Sequence, residues 1–138
     1  MTDKTVLITG CSSGIGECVA RGLSGRGYRV LATARQAADG ARLENSGLES
    51  VLLDVSDADS VSAAVDEALS RTGGTLYGLF NNGAYGQPGA VEDLTRDVLR
   101  EQFETNFFGW HDLTRQLLPV MRRQGYGRII QNSSVLGF

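Results

Sequence analysis

Apolar residues along this chain alternate between short runs rich in Val, Ile and Leu and longer stretches in which they recur every three or four positions. The short runs predict strands: Val6-Leu7-Ile8, Tyr28 to Ala34, Ser50 to Val55, Leu76 to Phe80, and Arg128 to Ser134. The periodic stretches between them predict helices. The first starts at about Gly14 and carries Ile15, Val19 and Leu23 on one buried face, with Gly22 allowing close approach to the sheet and Gly27 as a stop. Residues 36–47 are polar and broken by Ala and Gly, which predicts a short helix plus loop. Ser56-x-x-Asp59 reads as a capping box ahead of a helix whose Val61, Ala64, Val65, Ala68 and Leu69 form one stripe, stopped by Gly73-Gly74. The longest helical segment runs from Thr95 as cap to about Gln124, with Leu99, Phe103, Phe107, Trp110, Leu113, Leu117 and Met121 spaced by threes and fours. Gly109 and Pro119 are expected to bend it. Strand and helix thus alternate throughout, which predicts an α/β fold with a parallel sheet and helices on both faces.

A chain of 138 residues suffices for one domain with a real core. The 41% hydrophobic and 21% charged content is that of an ordinary globular protein rather than a disordered one. A net charge of -3 leaves no basic footprint, so nucleic acid is not an expected partner. No apolar run approaches membrane-spanning length, and Met1-Thr2-Asp3-Lys4 lacks a signal-peptide pattern; the expectation is a cytoplasmic protein without a membrane partner. Cys11 and Cys18 have neither C-x-x-C spacing nor a nearby His, so neither a metal site nor a structural disulfide is expected. Small side chains at crowded positions account for both. The alternative for Cys11 is a redox-sensitive thiol whose pKa falls beside a helix N-terminus.

The candidate chemistry lies at the ends of the strands. After Val6-Leu7-Ile8-Thr9 comes Gly10-Cys11-Ser12-Ser13-Gly14-Ile15-Gly16, a turn of small residues that opens a helix. A pyrophosphate needs backbone N–H groups at close range, glycine lets the main chain turn sharply with no Cβ in the way, and the helix start presents its positive dipole end. The spacing is neither G-x-G-x-x-G nor a Walker loop, and an ordinary tight strand-to-helix turn would also use these residues. Where a dinucleotide fold places an acidic residue on the ribose 2′-hydroxyl, this chain has Thr33-Ala34-Arg35. Arginine there suits a 2′-phosphate, so NADP(H) is preferred over NAD(H); a solvated surface arginine is the plain alternative. Asn81-Asn82-Gly83-Ala84 follows the fourth strand, where ligands bind in open α/β sheets and where an Asx-type turn would equally use these residues.

Taken together, Thr9-Gly10-Cys11-Ser12-Ser13-Gly14-Ile15-Gly16, Leu53-Asp54-Val55, Asn81-Asn82-Gly83-Ala84, Asn106 in Thr-Asn-Phe-Phe-Gly and Ser134 in Asn-Ser-Ser-Val resemble the short-chain dehydrogenase/reductase family, in the family's order and over the whole chain. The resemblance implies a Rossmann-type, doubly wound parallel sheet of order 3-2-1-4-5, truncated after the fifth strand, with that strand at an edge or completed by a partner. It implies that Gly10, Ser12, Ser13, Gly14, Ile15, Gly16, Arg35, Asp54, Val55, Asn82, Gly83 and Ala84 bind cofactor, the glycine segment at the pyrophosphate and Asp54 near the adenine. Ser134 would hydrogen-bond a substrate oxygen and Asn106 would hold a water in a proton relay. In isolation, a strand-end serine and a helix-bending asparagine would serve as well.

Two departures from the family's pattern stand out. Gly83-Ala84 replaces the usual Ala-Gly, a swap of two small residues. The family's catalytic Tyr-x-x-x-Lys is absent: none of Tyr28, Tyr77, Tyr85 and Tyr126 is followed four residues later by lysine, and Lys4 is the chain's one lysine. The expected function is therefore that of an N-terminal, NADP(H)-binding domain, incomplete at its C-terminus, of an oxidoreductase acting on a small carbonyl or alcohol substrate. Such a part is expected to be inactive alone, and the full-length form to be a homo-oligomer. The alternatives are a non-catalytic nucleotide-binding module and an assembly module, since Phe107, Trp110 and their neighbours cannot all face one sheet.

Overall fold

The computed structural model describes residues 4–135. Five strands, β1 (Thr5–Ile8), β2 (Arg29–Ala34), β3 (Glu49–Leu52), β4 (Gly78–Asn81) and β5 (Arg128–Gln131), form one parallel sheet in the order β3-β2-β1-β4-β5. Strand β1 is buried along its whole length, as a parallel strand covered on both faces must be. Its alternating side chains feed two cores. Leu7, with Leu31 and Leu79 from its neighbours, faces one side; Val6 and Ile8, with Val30, Ala32 and Phe80, face the other.

The first side is closed by α3 (Ala58–Arg71), through Val61, Ala64, Val65 and Ala68, and by α5 (Gly109–Gln124), through Leu113, Leu117 and Met121. The second is closed by α1 (Gly14–Ser24) and α2 (Ala37–Asn45), with Ala20 and Leu43 fully buried. Both edge strands, β3 and β5, lie far from β1 in the order, so the glycine-loop strand occupies the centre.

Several sequence expectations shift once the sheet is assembled. The buried positions of α1 are Gly16 and Ala20. Val19 and Leu23 are half-buried against the core, whereas Ile15 is 59% exposed. The physical reason is steric: a Cβ on Gly16 would stand 2.1 Å from the Gly10 carbonyl oxygen. Gly16 must therefore face the loop, and Ile15, one position earlier, turns outward. Gly22 makes no close approach to the sheet; a Cβ there would meet only the Arg26 guanidinium, at 3.6 Å.

The cap of α3 is Asp57, not Ser56, because the Asp57 carboxylate accepts from the N–H groups of Asp59 and Ser60. Ser56 instead donates its hydroxyl to Asp54. Strand β3 ends at Leu52 and β5 at Gln131, each three residues earlier than the apolar runs suggest.

The long helical segment begins as expected with Thr95 capping α4 (Arg96–Phe103), and α5 runs through Pro119. Between α4 and α5 the chain makes a π-helical turn over Glu104–Phe108. The widened turn changes the rotational phase between the two helices. It delivers Gly109 against the loop after β3, where a Cβ would lie 1.9 Å from the Val55 carbonyl oxygen. Gly109 is thus a packing contact rather than a simple bend point.

Candidate active site

The C-terminal ends of β1, β2 and β4 open into a cleft of about 500 Å³. Of the expected cofactor residues, Gly10, Ser12, Ser13, Gly14, Ile15, Arg35, Asp54, Val55, Asn82, Gly83 and Ala84 line it. Gly16 lies buried behind the loop. Glycine is required at Gly10 and Gly14, whose φ angles are +70° and +59°.

The N-cap residue of α1, Ser13, is extended and makes no side-chain cap hydrogen bond. The first-turn N–H groups are thus not satisfied by a cap, as suits a helix start that receives an anion. The loop, the helix start and a basic side chain on the same cleft fit a phosphate-bearing dinucleotide.

The two halves of the cleft are stitched together by Thr9 and Asn82. Thr9 is fully buried and its hydroxyl oxygen accepts from the N–H groups of Asn82 and Gly83, both at 2.8 Å. Asn82 returns its Nδ2 to the carbonyls of Thr9 and Gly10, at 3.1 and 3.3 Å. Its side chain therefore bridges strands rather than forming a local Asx turn. Asn132, just past β5, donates Nδ2 to Asn82 Oδ1 at 2.8 Å, and Trp110 donates its indole N–H to the Gly83 carbonyl at 2.7 Å. The segment after β4 is thus held from β1, β5 and α5 together.

At the rim, Arg35 follows directly on β2, and among the described residues it has no acidic partner. Asp54 accepts from the backbone N–H and the hydroxyl of Ser56, at 3.0 and 2.7 Å, which fixes its carboxylate. Asn106 lies in the π-helical turn, with Oδ1 accepting from the Tyr85 N–H at 3.1 Å and Nδ2 donating to the Tyr85 carbonyl at 2.7 Å. That leaves one lone pair and one N–H on its amide beyond these two bonds. Ser134 is exposed, three residues beyond the end of β5, and neither it nor Asn106 lines the cleft.

Cys11 is fully buried, and its Sγ lies 3.3 Å from the Ile8 carbonyl. Burial pushes its thiol up to about 12, which overrides any lowering by the nearby helix start. The redox alternative for Cys11 is therefore not favoured. Cys18 is exposed.

Tyr85 is the one tyrosine on this cleft. Tyr28, Tyr77 and Tyr126 instead form a row of tilted ring contacts at the N-terminal ends of the strands, with ring centroids 6.1 and 6.3 Å apart. Lys4 lies over the rings of Tyr28 and Tyr77, at the opposite end of the sheet from the cleft.

Sequence reasoning gave no site role to Thr9, Tyr85, Thr105, Trp110 and Asn132, which line this region or hold it together. Thr9 and Asn132 each open a motif named above, the glycine segment and Asn-Ser-Ser-Val, where neither carried a binding role of its own. Trp110 carried none, because it read as one more apolar residue of a helix stripe. Among the described residues, no helix is long and apolar enough to cross a membrane, and no group of three or more His, Cys, Asp or Glu could hold a metal ion.

Comparison with known proteins gives a consistent picture. A family model described as short chain dehydrogenase matches residues 4–138. The chain is 46% identical over 134 residues to the uncharacterized oxidoreductase YbbO of Escherichia coli K12, covering 97% of this chain and 50% of that protein. It is 41% identical over 144 residues to human retinol dehydrogenase 16, covering 99% of this chain and 44% of the relative. A solved short-chain dehydrogenase from Streptomyces avermitilis superimposes with a TM-score of 0.90 at 36% identity, over 96% of this chain and 50% of the other. The chain therefore spans about half the length of the curated relatives it matches.

Proposed function

The chain belongs to the short-chain dehydrogenase family, and from that premise we propose that it is the cofactor-binding part of an NADP(H)-dependent oxidoreductase acting on a carbonyl or alcohol. The nicotinamide, when bound, gives or takes the hydride. The chain's own residues do the holding. The glycine loop and the start of α1 take the pyrophosphate, Arg35 the 2′-phosphate, and Asp54 with Val55 the adenine end. Asn82, Gly83 and Ala84 line the floor of the cleft. Ser134 hydrogen-bonds the substrate oxygen, and Asn106 uses the lone pair and N–H left over from Tyr85 to hold a water for proton transfer.

Proton transfer to or from that oxygen needs an acid or base, which typically contributes about 10²–10⁴-fold. The 138 residues carry no Tyr-x-x-x-Lys, and Lys4 sits at the far end of the sheet. By themselves they should turn over no substrate. A cytoplasmic location and a homo-oligomeric full-length form belong to the same reading, and exposed Phe103, Phe107 and Phe108 offer an apolar face for assembly.

The observation that carries the cofactor assignment is Arg35, a guanidinium on the cleft rim with no acid to neutralise it among the described residues. The test is to replace Arg35 with Asp in the full-length protein and measure the affinities for NADPH and NADH. A charge-assisted contact of this kind predicts a shift of about 10- to 100-fold toward NADH. An unchanged ratio would show that the 2′-phosphate is not read at Arg35.

A further inference from the structure

Arg42, on α2 and outside the cleft, joins three parts of the fold. Its Nη2 donates to the Ser12 carbonyl at 2.5 Å, and its Nη1 reaches both carboxylate oxygens of Glu17 at 3.1 and 3.2 Å. Glu17, in the first turn of α1, is held a second time by Arg21, at 2.7 and 3.1 Å. Two arginines thus face one carboxylate, with Asp39 as the other acid near Arg42, 3.9 Å from its Nε. These hydrogen bonds, that from Arg42 first, hold the Glu17 carboxyl below its ordinary range, so the acid beside the loop stays ionised and matched.

The contact with Ser12 bears on the loop itself. In a planar trans peptide the carbonyl and the following N–H point in opposite directions. A Ser12 carbonyl drawn out toward α2 therefore turns the Ser13 N–H away from α2, and Ser12 and Ser13 both line the cleft. It also turns the negative end of that carbonyl away from any bound anion. A fork-shaped guanidinium presents separate nitrogens in a fixed plane to the carbonyl and the carboxylate, whereas an ammonium's three donors radiate from one nitrogen on a shorter reach.

We propose that Arg42 is a positioning residue for the pyrophosphate site: anchored on Glu17, it fixes the Ser12–Ser13 peptide so that the Ser13 N–H faces the bound dinucleotide. This rests on the reading of the cleft as a dinucleotide site, and it goes beyond that reading by assigning a role to a side chain that does not touch the ligand. Because the pyrophosphate is common to NADH and NADPH, Arg42 should affect both alike, whereas Arg35 should separate them.

The test measures NADPH and NADH dissociation constants for the full-length protein and its Arg42→Gln and Arg42→Lys variants, with the thermal unfolding midpoint of each. Loss of one charge-assisted loop anchor predicts both cofactors weakened about five- to tenfold in Arg42→Gln, with their ratio kept. The unfolding midpoint should stay close to wild type, because the side chain is 45% exposed and its ion pairs lie at the surface. Arg42→Lys should recover little of the loss. Unchanged affinities, a loss confined to NADPH, or full recovery with lysine would each overturn the proposal; the second would make Arg42 a direct contact of the 2′-phosphate, and the third would reduce it to a diffuse charge. A wild-type protein that binds neither cofactor would remove the dinucleotide reading and this inference with it, an outcome distinct from tight wild-type binding that Arg42→Gln leaves intact.

Discussion

Replacing Thr9 with Val keeps the shape of a fully buried side chain and deletes the one atom that accepts from two backbone donors, the N–H groups of Asn82 and Gly83. Each unpaired buried donor costs about 1–3 kcal/mol. Both donors are part-buried, so the sum should fall at about 2–4 kcal/mol. Thr9→Ser is the matched control: it keeps the hydroxyl and loses one methyl from the interior, which costs about 1 kcal/mol. For a protein of this size the valine variant should melt about 6–15 °C below wild type. Urea unfolding should show a lower midpoint with an unchanged slope, since the surface exposed on unfolding is the same. The floor of the cleft should loosen as well, because Gly83 packs directly on Gly10: a Cβ at Gly10 would come within 2.6 Å of the Gly83 Cα. Equal stabilities for the valine and serine variants would refute the reasoning, since the hydroxyl would then contribute nothing beyond its volume.

Two further predictions concern groups whose ionisation the fold has moved. Cys11, buried with its thiol pushed up to about 12, carries about one thiolate in 10⁴ at pH 8. A thiol reagent should therefore label only the exposed Cys18 in the native chain and both cysteines after denaturation, and two rapid equivalents on the native chain would contradict the burial of Cys11. Glu49 on β3 is held below its ordinary value of 4.5, first by the hydrogen bonds from Arg29 on β2, at 2.6 and 2.8 Å. A depressed folded-state pKa stabilises the fold at pH values above 4.5 and ceases to do so as pH falls through the folded value. The stability gap between wild type and Glu49→Gln should thus be small but present at pH 7, the pair being partly solvated, and should close on acidification. A gap that stays constant down to pH 3 would show that the Arg29 contact does not depend on the charge.

What the sequence by itself determined is what depends on neighbouring residues. Apolar runs of the right length set five strands, and their alternation with helical stretches led to a parallel sheet, whose order β3-β2-β1-β4-β5 followed only from the family resemblance. The glycine loop was legible because positive φ at Gly10 and Gly14 is a local demand that glycine meets best, and Arg35 because a strand end fixes where the next side chain falls. Tertiary structure decided the rest. Thr9 reads as an ordinary strand residue until a partner 73 positions away places two N–H groups on its hydroxyl. Trp110 belongs to a helix stripe until the π-helical turn rotates α5 and its indole meets Gly83. Ile15 fits a buried stripe, yet Gly16 must take the buried position because a backbone oxygen of the loop lies where any larger side chain would go. Hydrogen bonds and close backbone approaches between residues distant in the chain leave no periodicity behind. For that reason the location of the cleft could be read from the sequence, but the contacts that hold its walls together could not.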